Sequence, residues 1–234
     1  MADTVSLEEL FRHAVTFPGP GAAIAGLQKA LAHLEEELER AAAQITVRLR
    51  ASHQRLAENL HPEDREYEIY DLDHTINVLL PRVVRGGFIL TIWSVFEVAV
   101  RDLAEYAYHE RALTLSFRRG DILKELERVF TQNLGIPAFP DPSVRERLKE
   151  LREFRHALVH HNGLVNQLPQ SLQRSDTYGY SAIGLHLFED LRHQYVVPKA
   201  EFVHRALALI SAYLLDLSER VYQTVHPTPL KDDA

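Results

Sequence analysis

The stretch "GGFILTIWSVFEVAV", residues 86 to 100, carries a single charged side chain, Glu97. Its apolar residues fall on all sides of a helical wheel, so such a helix has to be enclosed by other elements or by lipid. The apolar run from Gly86 to Phe96, closed by Arg85 and Glu97, is shorter than the roughly 20 residues a bilayer span requires. The reading is therefore the central helix of a bundle. It belongs to a helical stretch from about Ile69 to Glu110, expected to be interrupted or kinked at Pro81 and loosened at Gly86 and Gly87.

On the C-terminal side, "GDILKELERVFTQNLG" reads as a shorter helix with Asp121 near its start and Gly135 as its stop. After the proline-rich link "IPAFPDP", Asp141 can cap the next helix, Pro142 suits its first turn and Asn162-Gly163 supplies its stop. A polar stretch to about Ser181 reads as a mobile loop. "IGLHLFEDLRHQYVVP" fits a short β-hairpin turning near Glu189 and Asp190, and fits a helical turn nearly as well. "KAEFVHRALALISAYLLDLSERVYQ" is a final amphipathic helix, and residues 227–234 form a flexible tail.

On the N-terminal side, Leu27, Leu31, Leu34, Leu38 and Ile45 recur at three- and four-residue spacing through a stretch free of proline. A helix from about 22 to 59 would reach roughly 55 Å, longer than a small domain is wide, so it needs another helix or subunit alongside. The breaker "HPED" closes this helical extension, residues 1–64. The fold class expected is all-α: a helical bundle over 67–226 with a long N-terminal extension.

Composition narrows the function. With a net charge of -7 and an isoelectric point near 6.0 the chain does not coat nucleic acid through bulk charge, so any RNA contact must be local. Without cysteine there are no disulfides and no thiolate metal sites. "MADTVSLEELF" has acids where a secretory signal carries a basic start, which favours a soluble, cytoplasmic protein. No dinucleotide or phosphate-loop glycine pattern and no nucleophile elbow is present.

Attention then falls on "REFRHALVHHNG", residues 152–163. On a wheel at 100° per residue, Val144, Leu148, Leu151, Phe154, Leu158 and Val159 form one apolar arc. Arg155 falls inside it, and His156 and His160 lie together to one side. A guanidinium cannot lose its proton, so one facing the core needs a partner or a polar pocket, unless it snorkels at the bundle edge. Glu97 is the expected partner and Asp102 the reserve.

Arg155-x4-His160 in an amphipathic helix ending at Gly163, with the acidic apolar helix "WSVFEVAVRDL" upstream, resembles the signature of the HEPN superfamily (higher eukaryotes and prokaryotes nucleotide-binding) over residues 67–226. His156 stands where the family most often has Asn. Arg48 and His53 share the spacing but lie in a polar-faced helix without the Asn-Gly stop. The resemblance implies a metal-independent endoribonuclease, without cofactor, in which two protomers of a homodimer bring their motifs together. The ribose 2′-OH is the nucleophile, His160 moves protons, Arg155 clamps the phosphate, and Glu97, His156 and His161 support them. Such proteins are often toxins or phage-defence effectors restrained by a partner protein, and some members are non-catalytic dimerisation or nucleotide-sensing modules. A third reading is a metal hydrolase: His156 and His160 at i, i+4 could share an ion with His161, and His186, His193 or Asp102 would complete the set.

Overall fold

The computed structural model describes residues 74–118, 120–161, 163–164, 185–189 and 194–227, with isolated positions between 29 and 64. Of the described residues 79% are helical, so the all-α expectation holds at that level. The isolated positions from 29 to 55, among them Glu36, Arg40 and Arg48, are helical. The full extent of the N-terminal helix, its boundary at 61–64, the polar loop and residues 228–234 lie outside the described residues, as does His53.

The central helix α1 (Leu80–Glu110) is preceded by a π-helical turn, Thr75–Leu79. That turn modifies the expectation at Pro81. A proline within a helix lacks one backbone donor and crowds the preceding turn. Here the wider turn, closed by the Leu80 amide on the Thr75 carbonyl, comes just before it, so α1 runs unbroken through Gly86 and Gly87. Helix α2 (Ile122–Leu126) continues as a π-helical segment, Glu127–Asn133. Asp121 caps it by accepting from the Leu123 amide at 3.1 Å, and Gly135 ends it at φ 72°. Helix α3 (Pro142–His161) begins where Asp141 accepts from the Ser143 amide at 2.8 Å.

Of the two readings of "IGLHLFEDLRHQYVVP", the hairpin is the one observed. Strands β1 (Leu185–Glu189) and β2 (Gln194–Pro198) pair antiparallel, Leu187 opposite Val196. Helix α4 (Ala200–Val225) closes the chain two residues beyond the expected Gln223.

At its full 31 residues α1 is long and apolar enough to cross a membrane, which the shorter count from Gly86 to Phe96 did not show. In the protein one side of it is core, with Ile89, Ile92, Trp93, Phe96 and Val100 buried, while Val83 and Val98 are exposed. Trp93 meets Phe96 at 5.0 Å between ring centroids, and Phe96 meets Tyr213 of α4 edge-on at 5.8 Å. Phe154 of α3 meets Phe202 of α4 edge-on at 4.9 Å.

Helix α2 is tied to α3 by an ion pair. Arg152 Nη1 lies 2.5 Å from Asp121 Oδ1. Burial works to raise the Asp121 pKa, but the Arg152 hydrogen bond and charge, with the Leu123 and Lys124 amides, outweigh it and hold the carboxyl below its usual value. A depressed carboxylate stabilises the fold fully above its unfolded value, near 3.8, and that contribution is lost as pH falls through the folded value. Asp121→Asn keeps the cap and removes the charge. In urea melts it should be less stable than wild type by about 1 kcal/mol at pH 6, with the gap closing in acid below about pH 4.

Candidate active site

Helix α3 holds every residue of the Arg-x4-His motif, and its register against α1 decides what they meet. A Cβ added at Gly86 would lie 3.8 Å from both Leu158 methyl groups, and one added at Gly163 would lie 3.9 Å from Arg82 Nε. The two helices therefore run antiparallel, Gly86 level with Leu158 and Arg82 level with Gly163. On that register Arg155 lies level with Ile89 and Leu90, and Glu97 is roughly 11 Å further along α1.

The expected pairing of Glu97 with Arg155 is accordingly not found. Glu97 Oε1 instead accepts from the Trp93 indole at 2.7 Å, one turn back on its own helix. The carboxylate that interrupts the apolar run serves a buried tryptophan. Glu97→Ala would leave that N–H unsatisfied at a cost of about 1–3 kcal/mol, whereas Glu97→Gln retains an acceptor. A thermal melt should show the alanine variant destabilised and the glutamine variant close to wild type.

Arg155 itself is half-buried. Its Nε is buried without a hydrogen-bond partner, and among the described residues no carboxylate or carbonyl meets its guanidinium. Neighbouring arginines contrast with it. Arg152 pairs with Asp121 and Glu153, Arg145 with Glu127 and Glu146, and Arg128 with Glu125. The reserve partner Asp102 lies roughly 24 Å along α1 from Gly86.

The three histidines do come together. His156 and His160 are exposed with ring centroids 4.4 Å apart, and the half-buried His161 stands 5.7 Å from His156 and 6.5 Å from His160. Among the described residues no group of three His, Asp or Glu side chains is arranged to hold a metal ion. Asp102 is too far along α1 to join these imidazoles, and the side chains of His186 and His193 lie outside the described residues. Val159, 45% exposed, sits between Arg155 and His160 on the helix surface.

The end of α3 that bears the histidines is closed by Gly163 at φ 73°, its amide donating to the Ala157 carbonyl at 3.0 Å. The Gly163 carbonyl then accepts from the Val196 amide of β2 at 3.0 Å. Two arginines of α1 reach the same strand. Buried Arg82 lies over the Tyr195 ring, 4.4 Å from its centroid, and Arg85 Nη1 donates to the Pro198 carbonyl at 3.2 Å. Burial lowers the Arg82 pKa while Tyr195 works the other way. Sequence reading named Arg85 only as the border of the apolar run and passed over Arg82 and Tyr195. Their only trace was a pair of arginines three apart at the edge of the apolar helix, since Tyr195 is far away in the chain. Comparison with protein-family models, with curated proteins and with solved structures gives no match to this chain.

Proposed function

We propose that the chain is a metal-independent endoribonuclease of HEPN type, with Arg155 and His160 as the catalytic pair. The observation that carries this reading is Arg155: a half-buried guanidinium with no counter-ion among the described residues, in the helix whose end carries three clustered imidazoles. Burying an unpaired donor works against stability, and residues that do so are commonly kept for a ligand. A phosphate suits it, because a guanidinium presents several donors to anionic oxygens and keeps its charge. RNA supplies the nucleophile in its ribose 2′-OH, so the protein needs only proton transfer and charge stabilisation, the roles of His160 and Arg155. His156 and His161 sit beside His160 and contact the RNA.

Arg155 and His160 diverge by about 140° around α3 at 100° per residue, which favours a site completed by a second copy. Exposed apolar residues offer surface for one: Val83 at 72%, Val159 at 45% and Val98 at 44% exposure. In this reading α1 is the bundle's central helix rather than a membrane span. The protein is cytoplasmic and acts as a toxin or antiviral defence effector under the control of a partner protein.

The test is incubation of wild type and His160→Ala with total RNA in excess chelator. Cleavage by the wild type alone supports the proposal; intact RNA in both returns the chain to the non-catalytic reading. Light scattering at micromolar concentration should give a dimer, and a persistent monomer that cleaves RNA would rule out the composite site.

A further inference from the structure

The chain of contacts from α1 through β2 to the end of α3 is not used by the chemistry above. We infer that Arg82 and Tyr195 are positioning residues: together they brace the last turn of α3 and so fix where the His160 imidazole stands. This rests on the nuclease reading for its catalytic consequence, though the brace itself can be measured without it.

His160 is exposed and lies one residue before the end of α3. Helix ends fray, because the last carbonyls have no partner within the helix. Two features hold this end. Gly163 turns the chain with a positive φ, and the Gly163 carbonyl and Leu164 are caught by β2, the former by the Val196 amide at 3.0 Å and the latter in a bridge with Tyr195. The strand is held in its turn by α1, where Arg82 is buried against the Tyr195 ring and Arg85 takes the Pro198 carbonyl. A guanidinium buried on an aromatic face is worth more than the same pair in water, so this link is a strong one in the series.

The position of Arg82 fits the role for a second reason. Its Nε is 3.9 Å from where a Gly163 Cβ would stand, at the negative end of the α3 dipole, where a cation is favoured. The same charge serves the strand and the helix end. If the link is cut, β2 loses its hold on Gly163, and the turn carrying His160 and His161 opens more often. His160 then spends less time where it can transfer a proton, while Arg155, about one and a half turns back, keeps its hold on phosphate. The expected signature is a fall in kcat with KM preserved.

Hydrogen exchange and kinetics on the full chain test this together, using Tyr195→Leu, Tyr195→Phe and Arg82→Met. The Gly163, Leu164 and Val196 amides report the brace, and RNA cleavage reports His160. Tyr195→Leu and Arg82→Met should speed exchange at these amides by about tenfold and lower kcat by about tenfold with KM within about twofold. Tyr195→Phe, which keeps the aromatic face, should restore both, and core amides such as those of Phe96 and Ile210 should stay protected in all three. Unchanged Gly163 protection in both disrupting variants would overturn the brace. Tenfold faster exchange with wild-type kcat would overturn its link to His160. If no form of the protein, wild type included, cleaves RNA, the nuclease reading fails on its own account and the exchange rates alone decide the brace.

Discussion

On the nuclease proposal, Arg155→Met is expected to slow RNA cleavage strongly and at the same time make the protein more stable. Arg155 is half-buried, and its Nε is buried without a partner among the described residues. Methionine fills similar volume with no unpaired donor, which should stabilise the fold by about 1–2 kcal/mol. A residue retained for packing would behave in the opposite way, losing stability on replacement. Loss of the phosphate clamp should lower the rate by about 10²- to 10³-fold. His160→Ala removes an exposed side chain, so its melting temperature should match wild type while cleavage falls by about 10²- to 10⁴-fold. Arg48→Ala and His53→Ala share the motif's spacing and should cleave as wild type. Denaturant melts and single-turnover cleavage on the same preparations check both halves. An Arg155→Met protein that is less stable and still active would remove the ground for placing Arg155 in the site.

Phe154→Ala should produce the largest stability loss of any change on α3, about 3–5 kcal/mol. The ring is fully buried and meets Phe202 edge-on at 4.9 Å, so truncation leaves a cavity between α3 and α4 and removes an aromatic pair. Since Phe154 is the neighbour of Arg155, cleavage should fall with the folded fraction and recover at lower temperature or with a stabilising osmolyte. Urea melts should place the midpoint well below that of Phe154→Leu. A loss under about 1 kcal/mol would show that α3 is not anchored through this ring.

These two neighbours show how far the sequence could be read. Phe154 declares itself core by its place in the apolar arc, and Arg155 is conspicuous for breaking that arc. The helix ends were equally legible, because Asp121, Asp141, Gly135 and Gly163 act locally through capping and positive φ. Long-range placement was not. Glu97 called for a partner, and the sequence pointed to a cation on another helix; the partner found is Trp93, four positions earlier on the same helix, with Arg155 placed further along by the Gly86–Leu158 register. Strand β2 was ambiguous for the same reason. "FEDLRHQY" suits a turn of helix, and the observed strand pairs with β1 and is held against the end of α3 by a main-chain bond to Gly163, over thirty positions earlier in the chain. Arg82 and Tyr195 meet only once that strand is in place.

A matched pair of oligonucleotides offers the most direct test of the nuclease proposal: an all-RNA substrate with a mapped cleavage position, and the same molecule with hydrogen in place of the 2′-OH at that single nucleotide. Both are incubated with wild-type protein in excess chelator. The all-RNA substrate should be cut to give a 2′,3′-cyclic phosphate and a 5′-hydroxyl end, and the substituted one should remain intact at that position, because its nucleophile is gone. Equal cleavage of the two substrates, or cleavage of the RNA only when metal is supplied, would contradict a mechanism built on Arg155, His160 and the ribose hydroxyl.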